Sequence, residues 1–91
     1  MTSYRLILTR NALKDLGSLQ KETAGRIVDK LEYFGASVNP LIYAKKLTGS
    51  SIGQYRFRIG DYRAIFDIDR FGRIQILMIL RIKHRKDIYG L

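Results

Sequence analysis

The spacing between apolar residues changes along this chain, and each change marks an element. Near the start, SYRLILT sets Tyr4, Leu6 and Leu8 against Arg5 and Ile7, the two-residue period of a strand with one buried side. Thr9 then offers a side-chain oxygen to open a short helix with Ala12, Leu13 and Leu16 on one face, which ends near Gly17. Ser18 offers a cap for a longer helix, in which Ala24, Ile27, Val28, Leu31 and Phe34 recur at helical spacing until Gly35 stops it. Two such helices in succession predict a helical hairpin with one apolar stripe.

Residues 35–53 hold the only proline and three of the eight glycines, which predicts a connecting loop with a short helical turn around Ala44. A connection this long invites a functional reading. QYRFRIGDYRAIFDID follows as two alternating segments around Gly60 and Asp61, a hairpin whose glycine stands where a type II′ turn needs it. After a turn at DRFG, GRIQILMILRIK is apolar on both faces, as a central strand would be. The order β-α-α-β-β-β predicts one α+β domain over residues 1–91: a twisted, mostly antiparallel four-stranded sheet with the helical hairpin on one face.

Alternation also sorts the charges. Tyr55, Phe57 and Ile59 face the core, so Arg56 and Arg58 face away; a two-residue turn pairs Ile59 with Tyr62 and sets Arg58 opposite Arg63. Like charges directly opposite cost a sheet about 0.2–1 kcal/mol. If Ile74, Ile76, Met78 and Leu80 turn inward, Arg81 and Lys83 join Arg56, Arg58 and Arg63 on the outer face. Outward cations are commonly no more than a solvated surface. Pairing them against stability points instead to an anion.

Composition strengthens that expectation. Seventeen Lys and Arg against eight Asp and Glu give a formal charge of +9 and a pI near 10.2, spread over both halves of the chain. A polyanion would relieve the self-repulsion, and cations on strands rather than on an amphipathic helix favour nucleic acid over a membrane. The absence of cysteine excludes thiol catalysis, disulfides and cysteine-held zinc, and a single histidine is too few for an ordinary histidine metal site. No metal and no cofactor are expected. The apolar stretch at the start is far shorter than a membrane span, and neither signal peptide nor anchor is evident, so a cytoplasmic location is expected.

YRFRIGDYR at residues 55–63, HRKDIY at residues 84–89 and AKKL at residues 44–47, in this element order, resemble the RelE toxins of the RelE/ParE superfamily over nearly the whole chain. The resemblance implies a small toxin neutralised by an acidic antitoxin that covers the basic face. RelE members cut messenger RNA in the ribosomal decoding site; ParE members share the fold and poison DNA gyrase. It further implies that Arg56 and Arg58 contact the substrate and activate its attacking hydroxyl. Arg63 would stabilise the phosphate, Lys83 would stand near another basic position, and Tyr89 would stack on a base and transfer a proton. Lys45, Lys46, Arg81 and Arg85 are further candidates for binding RNA.

The chain departs from the pattern at Arg56, where the best-known members carry a lysine; arginine holds charge but does not accept a proton. His84, Lys83 and Tyr89 remain as proton carriers. His84 has a bland alternative as an exposed or packed residue, and Tyr89 as an aromatic that docks the tail. Tyr55 and Tyr62 read as packing. The expected function is a metal-independent, ribosome-dependent endoribonuclease with the ribosome, mRNA and an antitoxin as partners. A ParE-like gyrase inhibitor and a catalytically inactive ribosome- or RNA-binding module are the rival readings.

Overall fold

The structure, a computed structural model, describes residues 4–49 and 52–88. Its strands are β1 (Arg5–Leu8), β2 (Ala44–Lys46), β3 (Tyr55–Ile59), β4 (Tyr62–Phe71) and β5 (Ile74–His84), and its helices α1 (Arg10–Gly17), α2 (Lys21–Ala36) and α3 (Arg85–Ile88). They form one sheet in the order β1-β5-β4-β3-β2, with β1 parallel to β5 and the other neighbours antiparallel. The α+β architecture is the expected one. The sheet has a fifth strand: the helical turn expected around Ala44 lies earlier, as a 3-10 turn over Pro40–Tyr43, and the next three residues pair with β3 as an edge strand.

The Thr9 side chain accepts the Ala12 N–H, while its hydroxyl donates to the Ile79 carbonyl at 2.9 Å and so ties the start of α1 to β5. Ser18 does not open α2 but closes α1, its hydroxyl and N–H both returning to the Asp15 carbonyl. Nor does Gly35 end α2. The helix runs on to Ala36, and the Gly35 carbonyl accepts the Tyr4 N–H at 3.0 Å just before β1.

The helices press Ala12, Leu16, Ile27, Leu31 and Phe34 onto Phe57, Ile59, Ala64, Phe66, Leu77, Ile79 and Ile82. Ile74, Ile76, Met78 and Leu80 are not the inward residues of β5. Phe66 pairs with Ile79 but Ile65 with Arg81, so Leu80 is an extra residue, a β-bulge, and the side that faces the helices switches across it. Arg81 and Lys83 still reach the outer face, because the bulge corrects the alternation. On that face, Ile65 is fully buried beneath the segment before β3. The Gln54 N–H donates to Asp67 Oδ1 at 2.8 Å, and a Cβ on Gly53 would stand 2.7 Å from Ile65 Cγ2 and 3.0 Å from Leu80 Cδ1.

Gly53 and Gln54 thus form a strap over Ile65, and this strap and α2 make opposite predictions for glycine replacement. Gly53→Ala should destabilise the protein by about 1–3 kcal/mol through overpacking. Gly25→Ala, in α2 with open space around it, should stabilise it by about 0.5–1 kcal/mol. Urea unfolding of the two variants checks both, and equal tolerance would refute the strap's tight packing.

Candidate anion-binding site

Among the described residues only glycines have positive φ; Gly60, at 59°, is followed by Asp61 in ordinary backbone space, the combination a type II′ turn requires. The turn fixes the register from Ile59↔Tyr62 inward. Arg58 therefore pairs with Arg63, and Arg63 with Lys83 on its other side, so three cations form a row across β3, β4 and β5 away from the helices. A second row runs Lys45, Arg56, Ile65, Arg81. An open cleft of about 530 Å³ over these strands is lined by Lys45, Arg56, Arg58, Arg63 and Arg85, with Ile42, Tyr43 and Ala44 on one wall. Lys46 pairs with Tyr55 and lies outside the cleft. Arg85 reaches it because its N–H donates to the Asp61 carbonyl at 2.8 Å, which pins α3 to the turn.

Arg63 is only 8% exposed, and its Nη1 donates to the carbonyls of Gly60 at 3.0 Å and Tyr62 at 2.9 Å. A hydrogen bond from a charged donor contributes about 1.5–3 kcal/mol, more than the about 0.2–1 kcal/mol lost to each like-charged cross-strand neighbour. Anchorage outweighs repulsion. The turn's carbonyls thus hold a guanidinium in the middle of the row.

Arg81 has a different fate. Its Nε and Nη2 grip Asp15 at 2.8 and 3.0 Å, and Asp15 Oδ2 also accepts the Ile82 N–H at 2.9 Å. β1 pairs β5 only as far as Ile79, so Asp15 caps the β5 edge beyond it. Burial pushes the Asp15 pKa up. The hydrogen bonds from Arg81 and Ile82, with the charges of Arg81 and Lys83, outweigh it and hold the carboxyl below its ordinary range. The Arg81 pKa is raised by its hydrogen bond to Asp15, against the opposing effect of burial. Asp15 had a visible signal: it is an acid beside Ala12 and Leu16 at helical spacing on the buried stripe.

Lys83 and His84 are successive strand residues and fall on opposite faces. His84 pairs with Tyr62, packs edge-on against its ring at 5.2 Å, and accepts the Lys86 N–H on Nδ1 at 3.2 Å. It lines a separate cleft with Thr23, Arg26, Ile59 and Asp61 on the helix side. Tyr89 lies outside the described residues.

The family model described as ParE toxin of type II toxin-antitoxin system, parDE, matches residues 6–89. The chain is a toxin of the RelE/ParE superfamily. This toxin is 31% identical over 86 residues to Toxin RelG of Mycobacterium tuberculosis, covering 94% of this chain and 95% of that one. The toxin–antitoxin complex RelBE2 from the same organism contains a similar fold, with TM-score 0.78 and 27% identity over 92% of this chain and all of the other. The archaeal RelE-RelB complex from Pyrococcus horikoshii matches with TM-score 0.66 and 27% identity, over 92% of this chain and 97% of that one. Among the described residues of the toxin, no His, Cys, Asp and Glu cluster could hold a metal ion, and no helix is long and apolar enough to cross a membrane.

Because the folded Asp15 pKa is depressed, its stabilising effect is complete above the unfolded value of about 3.9 and is lost as pH falls through the folded value. Asp15→Asn should therefore cost about 1–3 kcal/mol at pH 7 and progressively less towards pH 2. Denaturant titrations across that range check this, and a deficit independent of pH would refute it.

Proposed function

We propose that this toxin is a ribosome-dependent, metal-independent endoribonuclease that cuts mRNA in the decoding site and so inhibits translation in the cytoplasm. The observation that carries this reading is the row of Arg58, Arg63 and Lys83, with Arg63 anchored on the turn's carbonyls. In the proposed step the ribose 2′-oxygen attacks the adjacent phosphorus while the bond to the 5′-oxygen breaks, leaving a 2′,3′-cyclic phosphate and a 5′-hydroxyl. The 2′-hydroxyl gives up a proton and the departing 5′-oxygen takes one. Negative charge grows on the phosphoryl oxygens, and guanidinium groups placed beforehand favour that state over the ground state.

Arg58 and Arg63 bind the scissile phosphate, with Arg56, Lys45 and Arg85 on the flanking backbone. Within the row only Lys83 is of a residue type that exchanges a proton, since arginine stays charged. Tyr89 is the second proton carrier on the strength of its place in HRKDIY. His84, across the sheet from the row, takes no part in this scheme, and Arg81 serves the Asp15 pair.

The proposed partner is an acidic antitoxin that covers the same face, which the +9 charge favours and the solved RelB complexes of similar toxins support. Gyrase inhibition is the second reading, favoured by the ParE description of the matching family model. Arg56, in place of a lysine, favours a third, an inactive ribosome-binding module.

The test is cleavage of a defined mRNA on programmed ribosomes with a vacant A site, with 5′ ends mapped. Wild type should cut there, and Arg63→Ala should cut on the order of a hundredfold more slowly. Intact mRNA with inhibited gyrase would transfer the assignment to the second reading. Ribosome binding without cleavage would leave a binding module.

A further inference from the structure

The cation-lined cleft has one wall that carries no charge. Ile42 and Tyr43, from the 3-10 turn before β2, line the same cleft as Arg58 and Arg63. The resemblance assigns neither residue a role. Ile42 is 69% exposed and Tyr43 39%, so both present surface that the core does not use.

Tyr43 is nonetheless fixed. Its ring stacks on Phe34 with centroids 4.9 Å apart, and Phe34 lies on Phe57, which stacks on Phe66. The Tyr33 ring meets Tyr43 edge-on at 5.9 Å. Hydrogen bonding with the Tyr33 side chain raises the Tyr43 pKa above its ordinary value. A run of rings thus leads from the core to the cleft mouth. An aromatic ring held in one pose loses little conformational freedom on binding, and its face accepts any base.

Resting on the nuclease reading above, we propose that Tyr43, flanked by Ile42, is a base-stacking subsite that receives the nucleobase next to the phosphate held by Arg58 and Arg63. Cations set the backbone, and this wall sets the base. Stacking carries no net charge, so its loss lowers affinity without changing the salt dependence of binding. Loss of a phosphate contact changes both.

The experiment places 2-aminopurine in turn at each position of a vacant A-site codon, on an mRNA made uncleavable by 2′-deoxy sugars, bound to ribosomes. Fluorescence is followed as toxin is added. Wild type should quench the probe at one position, and Tyr43→Phe should retain the quench. Tyr43→Leu should lose it and bind roughly tenfold more weakly with an unchanged salt slope, whereas Arg58→Gln should lower that slope by about 0.7. If Tyr43→Leu fails to fold, Ile42→Ser, which alters an exposed side chain, should weaken the quench in its place. Equal quenching by wild type and both wall variants would overturn the subsite and leave the nuclease reading standing. Full RNA affinity with lost antitoxin affinity would reassign the wall to the protein partner, and no ribosome binding by wild type would sink both readings.

Discussion

The juxtaposition of Arg58 with Arg63 constrains the whole outer face of this sheet. It follows from one turn: Gly60, the turn's one residue at positive φ, closes Ile59 on Tyr62, and the next pair along the strands sets Arg58 opposite Arg63. Lys83 extends the row on β5. Nothing in the core requires these side chains, and each like-charged pair costs stability. The fold offsets that cost by turning Arg63 back onto the carbonyls of its own turn. The positive charge is then already in place before any anion arrives, and preorganisation of this kind lowers a barrier without reorganisation at the moment of reaction.

The same sheet also withdraws a cation from the site. Arg81 stands one strand from Ile65 in the second row, yet Asp15 engages its Nε and Nη2 and, through the Ile82 N–H, seals the β5 edge where β1 stops. The bulge at Leu80 makes this possible, because it brings Arg81 and Lys83 out together while Ile79 and Ile82 stay under the helices. Asp15 then separates the two, holding Arg81 and leaving Lys83 in the cation row.

How much of this was legible depends on the range of the interaction. The Arg58 and Arg63 pairing is set within six residues by a glycine whose position admits one turn type, so the sequence pattern suffices. The sidedness of β5 was not legible, since apolar residues on both faces leave the alternation without a reference and the bulge arises from pairing with β4. A strand of three residues has no period to detect, which hides β2. The pair of Arg81 with Asp15 joins residues 66 apart, which only the packing of α1 onto β5 brings together. His84 shows the opposite failure: a residue type suited to proton transfer, adjacent in sequence to Lys83, is carried by strand alternation to the other face.

The central claim is that Arg58 stands opposite Arg63 at a cost to stability, a cost that the anchored Arg63 allows the fold to carry. The most direct measurement is the unfolding free energy of Arg58→Gln relative to wild type, at low and at high salt. Removing an exposed charge that faces Arg63 should raise stability by about 0.2–1 kcal/mol at low salt, with the gain shrinking as salt screens the row. A loss of stability at low salt would mean that Arg58 serves the fold, and would contradict the account.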